Sequence, residues 1–453
     1  MSRYHLIGIG GAGMAPVAEL LAARGLEVSG SDARDSATLE RLRGLGVRAH
    51  AGHDAAQVPD GATVVVSTAV RPDNPELVRA RELGLPVVHR SEALVVASGD
   101  QDFVAVAGAH GKTTTSAMLA VALTEVGADP SYAIGGQVAG LGTGAHLGTG
   151  RAFVAEADES DGSFLNYRPA VAVVTNVEPD HLDHYGSREA FEQAFVDFAG
   201  RVTGLLVACA DDDGALRLAR RAPGRVLTYG TGAAPGLGEG HVRITGLDVG
   251  AVGASATLER AGEPPVRLEL AVTGAHNVRN ATAAWCAGVA LGADPRALAA
   301  ALGAFRGTGR RFEARGEAAG VRVVDDYAHH PTEVAATLAA ARLAAGEGRV
   351  VVLFQPHLYS RTQAFAAEFA AALGAADEVV VTDVYAARED PVAGVDGSLI
   401  TALADGARYV ADRHGAAAAV ASLARPGDLV LTMGAGDVTE LGPRVLALLA
   451  ERA

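Results

Sequence analysis

Lysine is all but missing from this chain. Of its 38 basic residues a single one, Lys112, is lysine, and the rest are arginine. A composition that has replaced every other ammonium by guanidinium yet keeps one marks a position where arginine does not serve. A compact, strongly hydrated point charge on a thin stem fits inside a loop wrapped around phosphate, whereas a planar guanidinium fork is too wide. Cysteine is nearly as scarce. Cys209 and Cys286 are too few and too far apart in sequence for a disulfide framework, and their apolar surroundings predict buried thiols. Positive charge is in deficit, 53 acidic residues against 38 basic for a formal charge of −15, which excludes a general nucleic-acid binder because no basic field offsets phosphate repulsion. Any anion must be held locally. No apolar run approaches transmembrane length, and the N-terminus enters a strand-like segment without the charged and apolar blocks of a signal peptide. The expectation is a soluble cytoplasmic protein without membrane insertion.

What is present is an alternation of apolar strands and amphipathic helices over 453 residues, too long for one hydrophobic core and suited to three α/β domains. Residues 4–9 read as a buried strand, followed by a glycine turn and a helix from Met14 to Arg24. Further strands are predicted at Glu27–Ser31, Thr63–Ser67 and Pro86–His89, completing a small parallel Rossmann-like domain over 1–98. A second domain, 99–307, opens with the strand Phe103–Ala107, a glycine loop and a helix from about Thr113 to Val126, with strands at Ala152–Ala155 and Val171–Thr175. From about 225 to 272 short alternating strands with Gly/Pro turns predict an antiparallel patch, giving this domain a mixed sheet, and helices at Asn277–Leu291 and Pro295–Leu302 close it. A third α/β unit, 308–453, has predicted strands at Arg322–Asp325, Val350–Phe354, Glu378–Thr382 and Leu429–Thr432.

The chemistry-bearing residues follow predicted strands. Gly108-Ala109-His110-Gly111-Lys112-Thr113-Thr114 is a shortened phosphate loop: backbone N–H groups at a helix start surround phosphate oxygens, the lysine reaches the terminal phosphates and a hydroxyl ligates Mg²⁺. Two acidic segments, Glu156-Ala157-Asp158-Glu159-Ser160-Asp161 and Glu178-Pro179-Asp180-His181-Leu182-Asp183-His184, supply oxygen and imidazole donors suited to a divalent cation that also touches triphosphate. Gly8-Ile9-Gly10-Gly11-Ala12-Gly13 matches GxGxxG after a strand, and Asp32 ends the next strand at about the spacing of a ribose-binding acid. That loop suits an NAD-dependent oxidoreductase as well as a second nucleotide-linked ligand. In the third unit, Asp325 to Glu333 and Gln355 to Thr362 carry His329, His330, His357 and Arg361 at strand ends, where clefts form. The segment His329-His330-Pro331-Thr332-Glu333 equally reads as a helix start.

Taken in order, Gly8 to Met14, Gly108 to Thr115, Glu156 to Asp161, Asn176 to Asp183, His276 to Asn280, Gly309-Arg310-Arg311-Phe312 and Asp325 to Glu333 resemble the Mur ligases, the ATP-dependent amide ligases of peptidoglycan synthesis, over essentially the whole chain. The resemblance implies a sugar-nucleotide domain, a central ATPase domain and a C-terminal domain that closes over the amino acid. It also implies that Lys112 contacts ATP, that Thr113, Glu156 and His181 hold Mg²⁺, that Asn277 and Asn280 lie on the adenine side, and that Arg311 and Asp326 complete the nucleotide site. Gly10, Gly11, Ala12, Gly13, Met14, Asp32, Ser67 and His89 are then candidates for the sugar nucleotide, and His357 and Arg361 for the incoming amino acid.

Two positions depart from the family pattern, Ala109 where threonine is usual and Leu358 where arginine is common. Several Mur ligases use a carbamylated lysine at a second metal, and with Lys112 committed to phosphate no such ligand is left. That favours the alanine-adding branch, acting on UDP-N-acetylmuramate and L-alanine as a monomer or homodimer. A peptide-recycling ligase of the same fold stays open, and so does the choice between His329 and His357 as acceptor of the amine proton.

Overall fold

The computed structural model describes residues 2–233, 236–387 and 389–452. Its strands form three sheets in three successive stretches of chain. The first comprises β1 (Arg3–Ile7), β2 (Glu27–Asp32), β3 (Arg48–Ala51), β4 (Thr63–Val66) and β5 (Val87–His89), in the order β3-β2-β1-β4-β5 and parallel throughout. The chain leaves β1 for one side and returns on the other, so the turn after β1, Gly8 to Gly13, opens at the point where open α/β sheets bind ligands.

Ten strands make the second sheet: β6 (Asp102–Ala107), β7 (Ser131–Ala133), β8 (Ala145–His146), β9 (Ala152–Glu156), β10 (Val171–Val174), β11 (Leu205–Cys209), β12 (Arg225–Gly230), β13 (His241–Val249), β14 (Ala254–Arg260) and β15 (Val266–Leu270). Their order is β15-β14-β13-β12-β11-β10-β6-β9-β7-β8. Strand β6 from Phe103 onward and the whole of β10 are apolar and buried, as expected for parallel strands covered on both faces. Because β9, β6 and β10 are neighbours in parallel register, with Val106 beside Glu156 and Ala107 beside Val174, the loops that follow all three emerge on one edge. The helix Lys112–Glu125 after β6 is buried from Thr114 to Leu123, a middle layer with little polar face.

The expected antiparallel patch begins later than its composition suggested. Arg225–Gly230 pairs parallel with β11 and belongs to the central sheet, its Thr228 buried and satisfied by the Gly240 carbonyl and His241. Only β13, β14 and β15 are joined by turns too short for a parallel crossover.

The third sheet comprises β16 (Glu313–Ala318), β17 (Val321–Asp326), β18 (Val350–Phe354), β19 (Glu378–Val381), β20 (Arg408–Tyr409) and β21 (Leu429–Met433), ordered β16-β17-β21-β18-β19-β20 with β16 antiparallel at one edge. In β18 the alternation of a strand divides two cores: Val350, Val352 and Phe354 pack on one face, Val351 and Leu353 on the other. Each such buried side chain contributes about 1.5–3 kcal/mol of transfer free energy. The chain divides into two compact units. One is Met1–Leu247, Ser255–Leu270 and Val278–Phe305; the other is Asp248–Ala254, Ala271–Asn277 and Arg306–Ala453. Among the described residues no helix is long and apolar enough to cross a membrane.

Candidate functional site

The loop after β6 is built on glycine for steric reasons. Gly108 has φ 131°, and a Cβ there would sit 2.2 Å from the Thr175 hydroxyl; Gly111, with φ 82°, starts the helix, and its Cβ would lie 2.8 Å from Asn280 Oδ1. Asn280 therefore abuts the loop, whereas Asn277 donates to the Thr273 carbonyl at 2.7 Å. From the β10 side, Asn176 grips His110 by both backbone groups: its Oδ1 accepts from His110 N at 2.9 Å and its Nδ2 donates to His110 O at 3.0 Å. Glu178 Oε2 lies 3.1 Å from His110 Nε2.

Inside this turn, Lys112 Nζ donates to the Gly108 carbonyl at 2.6 Å, to the Ala109 carbonyl at 3.3 Å, and to both carboxylate oxygens of Glu159 at 2.8 and 2.9 Å. Position 109 thus contributes its backbone oxygen, which alanine supplies as well as threonine. Burial opposes the charge on Lys112, but Glu159 and Asp158 outweigh it and keep the ammonium protonated. Burial lifts Glu159 to about 7 against the pull of the same lysine. Thr113 and Glu156 meet directly: the hydroxyl donates to Oε2 at 3.0 Å, and Gly135 N donates to Oε1 at 2.7 Å. His181, at φ 53°, places Nε2 3.5 Å from Asp180 Oδ2 and 4.0 Å from Glu159 Oε1. A hydroxyl, carboxylates and an imidazole at adjoining strand ends are a donor set that fits a hard divalent cation.

In the first sheet the glycine loop rests on the end of β2. Gly8 N and Ile9 N both donate to the Ser31 carbonyl, at 2.8 and 2.9 Å, and Gly10 N donates to Asp32 Oδ2 at 2.9 Å. Gly11 and Ala12 are exposed, while the Met14 side chain is buried in the core. Ser67, at the end of β4, is partly exposed, and His89 caps the helix Arg90–Ser98 with Nε2 3.3 Å from Asp161.

The second unit gathers its own cluster at the ends of β17, β18 and β21. Asp326 is buried and accepts from Phe312 N at 2.7 Å and Ala328 N at 2.8 Å, so it ties the Arg310-Arg311-Phe312 turn to the histidine loop from within. Burial raises its pKa, with Arg311 opposing. Arg311 lies 5.1 Å over the Tyr327 ring and 3.4 Å from Glu333. His329 Nδ1 is 2.9 Å from the Tyr327 carbonyl and 3.2 Å from Glu333 Oε2. Arg361, 5 % exposed, places NH1 3.2 Å from His357 Nδ1. Leu358 is buried at φ 67°, a left-handed backbone that favours glycine.

Glu159, Asp158 and Asn176 carry contacts in this geometry that no individual assignment from sequence had given them. A run of acids does not say which way each points.

Three family models match along the chain: Mur ligase family, catalytic domain, at residues 3–100; Mur ligase middle domain at 106–288; and Mur ligase, glutamate ligase domain, at 310–436. A UDP-N-acetylmuramate–L-alanine ligase of Kineococcus radiotolerans is 59% identical over 464 residues, covering 100% of this chain and 97% of the relative. Another, from Renibacterium salmoninarum, is 54% identical over 455 residues, covering 99% and 96%. Among solved structures, the UDP-N-acetylmuramate–alanine ligase of Thermotoga maritima matches with a TM-score of 0.81 and 29% identity over 100% of both chains. A murein peptide ligase of Psychrobacter arcticus shares the fold, with a TM-score of 0.72 and 24% identity over 99% of both.

Proposed function

Since the chain belongs to the Mur ligase family, we infer that it joins L-alanine to the lactyl carboxylate of UDP-N-acetylmuramate at the expense of ATP, in peptidoglycan precursor synthesis. The observation that carries this reading is the solitary lysine seated in a glycine cradle beside Glu156, Thr113 and Glu159. The similarity to alanine ligases at 50–59% identity over nearly the whole chain favours alanine addition over peptide recycling. Family membership likewise sets aside the nicotinamide oxidoreductase that the first glycine loop, taken alone, would allow. On the same reading the proposed location is the cytoplasm.

In the proposed reaction a lactyl carboxylate oxygen attacks the γ-phosphorus of ATP and ADP leaves, giving an acyl phosphate. The alanine amine then attacks the acyl carbon, and inorganic phosphate departs from the tetrahedral intermediate. Phosphoryl transfer needs positioning and charge stabilisation more than covalent help. Lys112 would exchange the Gly108 and Ala109 carbonyls for phosphate oxygens while Asn176 keeps the loop closed around them. Thr113, Glu156 and His181 would hold Mg²⁺, which when bound neutralises charge on the transferring phosphoryl. Asn280 borders the loop on the proposed nucleotide side, and the first domain takes the sugar nucleotide.

Hydrogen-bond partners support one of the two histidines as the base. A backbone carbonyl only accepts, so His329 carries its proton on Nδ1 and leaves the lone pair on Nε2. A guanidinium only donates, so Nδ1 of His357 accepts and its proton sits on Nε2. His329 is therefore the proposed acceptor of the amine proton, with Glu333 steadying the imidazolium, and His357 with Arg361 a donor pair for the amino-acid carboxylate.

The test is phosphate release from ATP by the purified protein with each substrate omitted in turn, and with alanine exchanged for serine or glycine. Release that requires UDP-N-acetylmuramate and is fastest with L-alanine is expected. ATP hydrolysis indifferent to the sugar nucleotide would overturn the reading.

A further inference from the structure

The carboxylates of the acidic loop after β9 look two ways. Glu156 and Glu159 face the phosphate loop, through Thr113 and Lys112. Asp158 and Asp161 face residues of the first sheet: Asp158 Oδ2 accepts from Arg90 NH2 at 2.5 Å, and Asp161 Oδ2 accepts from Thr68 Oγ1 at 3.3 Å beside His89. Asn166 Nδ2 adds a bond to Ser91 Oγ at 2.8 Å. Arg90 also reaches the first glycine loop, because a Cβ built on Gly13 would lie 2.9 Å from its NH1 and 3.3 Å from its Cζ. One guanidinium thus touches the acidic loop with one nitrogen and the GxGxxG turn with another.

Four of that turn's N–H groups are already engaged. The N–H groups of Gly8 and Ile9 are given to Ser31, that of Gly10 to Asp32 and that of Gly11 to the Gly8 carbonyl. A diphosphate resting there would meet the remaining backbone N–H groups, and a cation beside them strengthens such binding; Arg90 stands over Gly13. The planar fork of arginine presents separate donor edges, so it can serve a carboxylate on one side and a phosphate on another.

We infer that Arg90 is a positioning residue for the ligation: it holds the glycine loop of the first sheet in register with the acidic loop of the phosphate site and offers a second donor edge to the diphosphate of the sugar nucleotide. The inference rests on the reading that the first domain takes UDP-N-acetylmuramate. Asp158 is bonded to Arg90 and acts on Lys112 through its charge, so it relays the placement of one loop to the other.

The test uses the full chain with Arg90→Lys, Asp158→Asn, the double variant and Gly11→Val, with folding checked by circular dichroism. Equilibrium binding of UDP-N-acetylmuramate without ATP and the KM values for both nucleotides are measured. Arg90→Lys should weaken sugar-nucleotide binding and raise its KM about tenfold or more while the KM for ATP stays within about twofold, as loss of a bidentate, charge-assisted contact implies. Asp158→Asn should lower kcat, and the double variant should be no slower than the worse single one. Wild-type binding and turnover in Arg90→Lys would overturn the inference. If Arg90→Lys fails to fold, Asp158→Asn decides: it keeps the arginine, and wild-type kcat there would overturn the relay. Gly11 is exposed, with only the Gly8 carbonyl, at 3.3 Å, and Met14 Cγ, at 4.0 Å, near its ideal Cβ, so valine there blocks a ligand without breaking the fold. Undiminished binding in Gly11→Val would sink the reading of the first domain itself, whereas loss in Gly11→Val with none in Arg90→Lys sinks only the role of Arg90.

Discussion

The ammonium of Lys112 rests symmetrically on the carboxylate of Glu159, 2.8 Å from Oε1 and 2.9 Å from Oε2, and that carboxylate is 1 % exposed. The single lysine of the chain is thereby held inside its glycine turn by two contacts to a buried carboxyl group rather than left to sample solvent. Replacing it by arginine keeps the charge but widens it beyond a space bounded by the Gly108 and Ala109 carbonyls. Lys112→Arg should lower kcat by roughly three orders of magnitude, at the upper end of what one lost transition-state donor costs. Circular dichroism should show an unchanged fold, so that steady-state kinetics isolates the chemical step.

Glu156 binds Thr113 and Gly135 N with separate oxygens, which fixes its orientation before any cation arrives. Glu156→Gln preserves shape and removes a hard anionic donor. The Mg²⁺ concentration for half-maximal activity should rise by about 10–100-fold. A magnesium titration at saturating ATP measures it, and an unchanged half-maximal concentration would remove Glu156 from the metal's ligands.

In the proposed tautomers His329 and His357 differ in which nitrogen carries the lone pair, so their replacement should differ in kind. His329→Gln should slow alanine ligation by about 10²–10³-fold, in the range of general-base removal. Trapping of the acyl phosphate by hydroxylamine, which is unprotonated at neutral pH, should continue in that variant. Equal loss of both reactions would place His329 in phosphoryl transfer instead.

Beneath the first glycine loop, Glu76 is fully buried and accepts from Ser31 Oγ at 2.5 Å and Asp54 N at 3.2 Å, with His5 Nε2 at 3.3 Å. Burial alone would raise its pKa, but the bonds from His5 and Ser31 outweigh it and hold the carboxyl below its ordinary value. A carboxyl depressed in the fold gives stability that is complete above the unfolded value of about 4.3 and is lost as pH falls through the lower folded value. Glu76→Gln should therefore cost about 2 kcal/mol at pH 7, and less as the pH falls below about 4. Denaturant unfolding at both pH values measures this, and a pH-independent difference would contradict it.

The parts that were legible in the sequence are those where one residue type is required. Lys112, Gly108 and Gly111 stood out because charge geometry and positive φ leave few alternatives, and Val350–Phe354 because a strand buried on both faces reads as an unbroken apolar run. The short strands Arg48–Ala51, Ala145–His146 and Arg408–Tyr409 were not legible, being two to four residues long and too exposed to show a period. Arg225–Gly230 was grouped with the hairpins because Thr228 interrupts its apolar run, although that hydroxyl is buried and satisfied by hydrogen bonds. Arg90 was one arginine among many, and only the approach of its guanidinium to Gly13 and Asp158 separates it from the rest.

The most direct test of the account follows an oxygen atom. UDP-N-acetylmuramate labelled with ¹⁸O in its lactyl carboxylate is ligated to L-alanine with unlabelled ATP, and the released phosphate is analysed by mass spectrometry. Attack of that carboxylate on the γ-phosphorus predicts one ¹⁸O atom carried into inorganic phosphate for each turnover with fully labelled substrate. Phosphate without label, with water as the source of its new oxygen, would contradict an acyl phosphate formed in the Lys112 cradle.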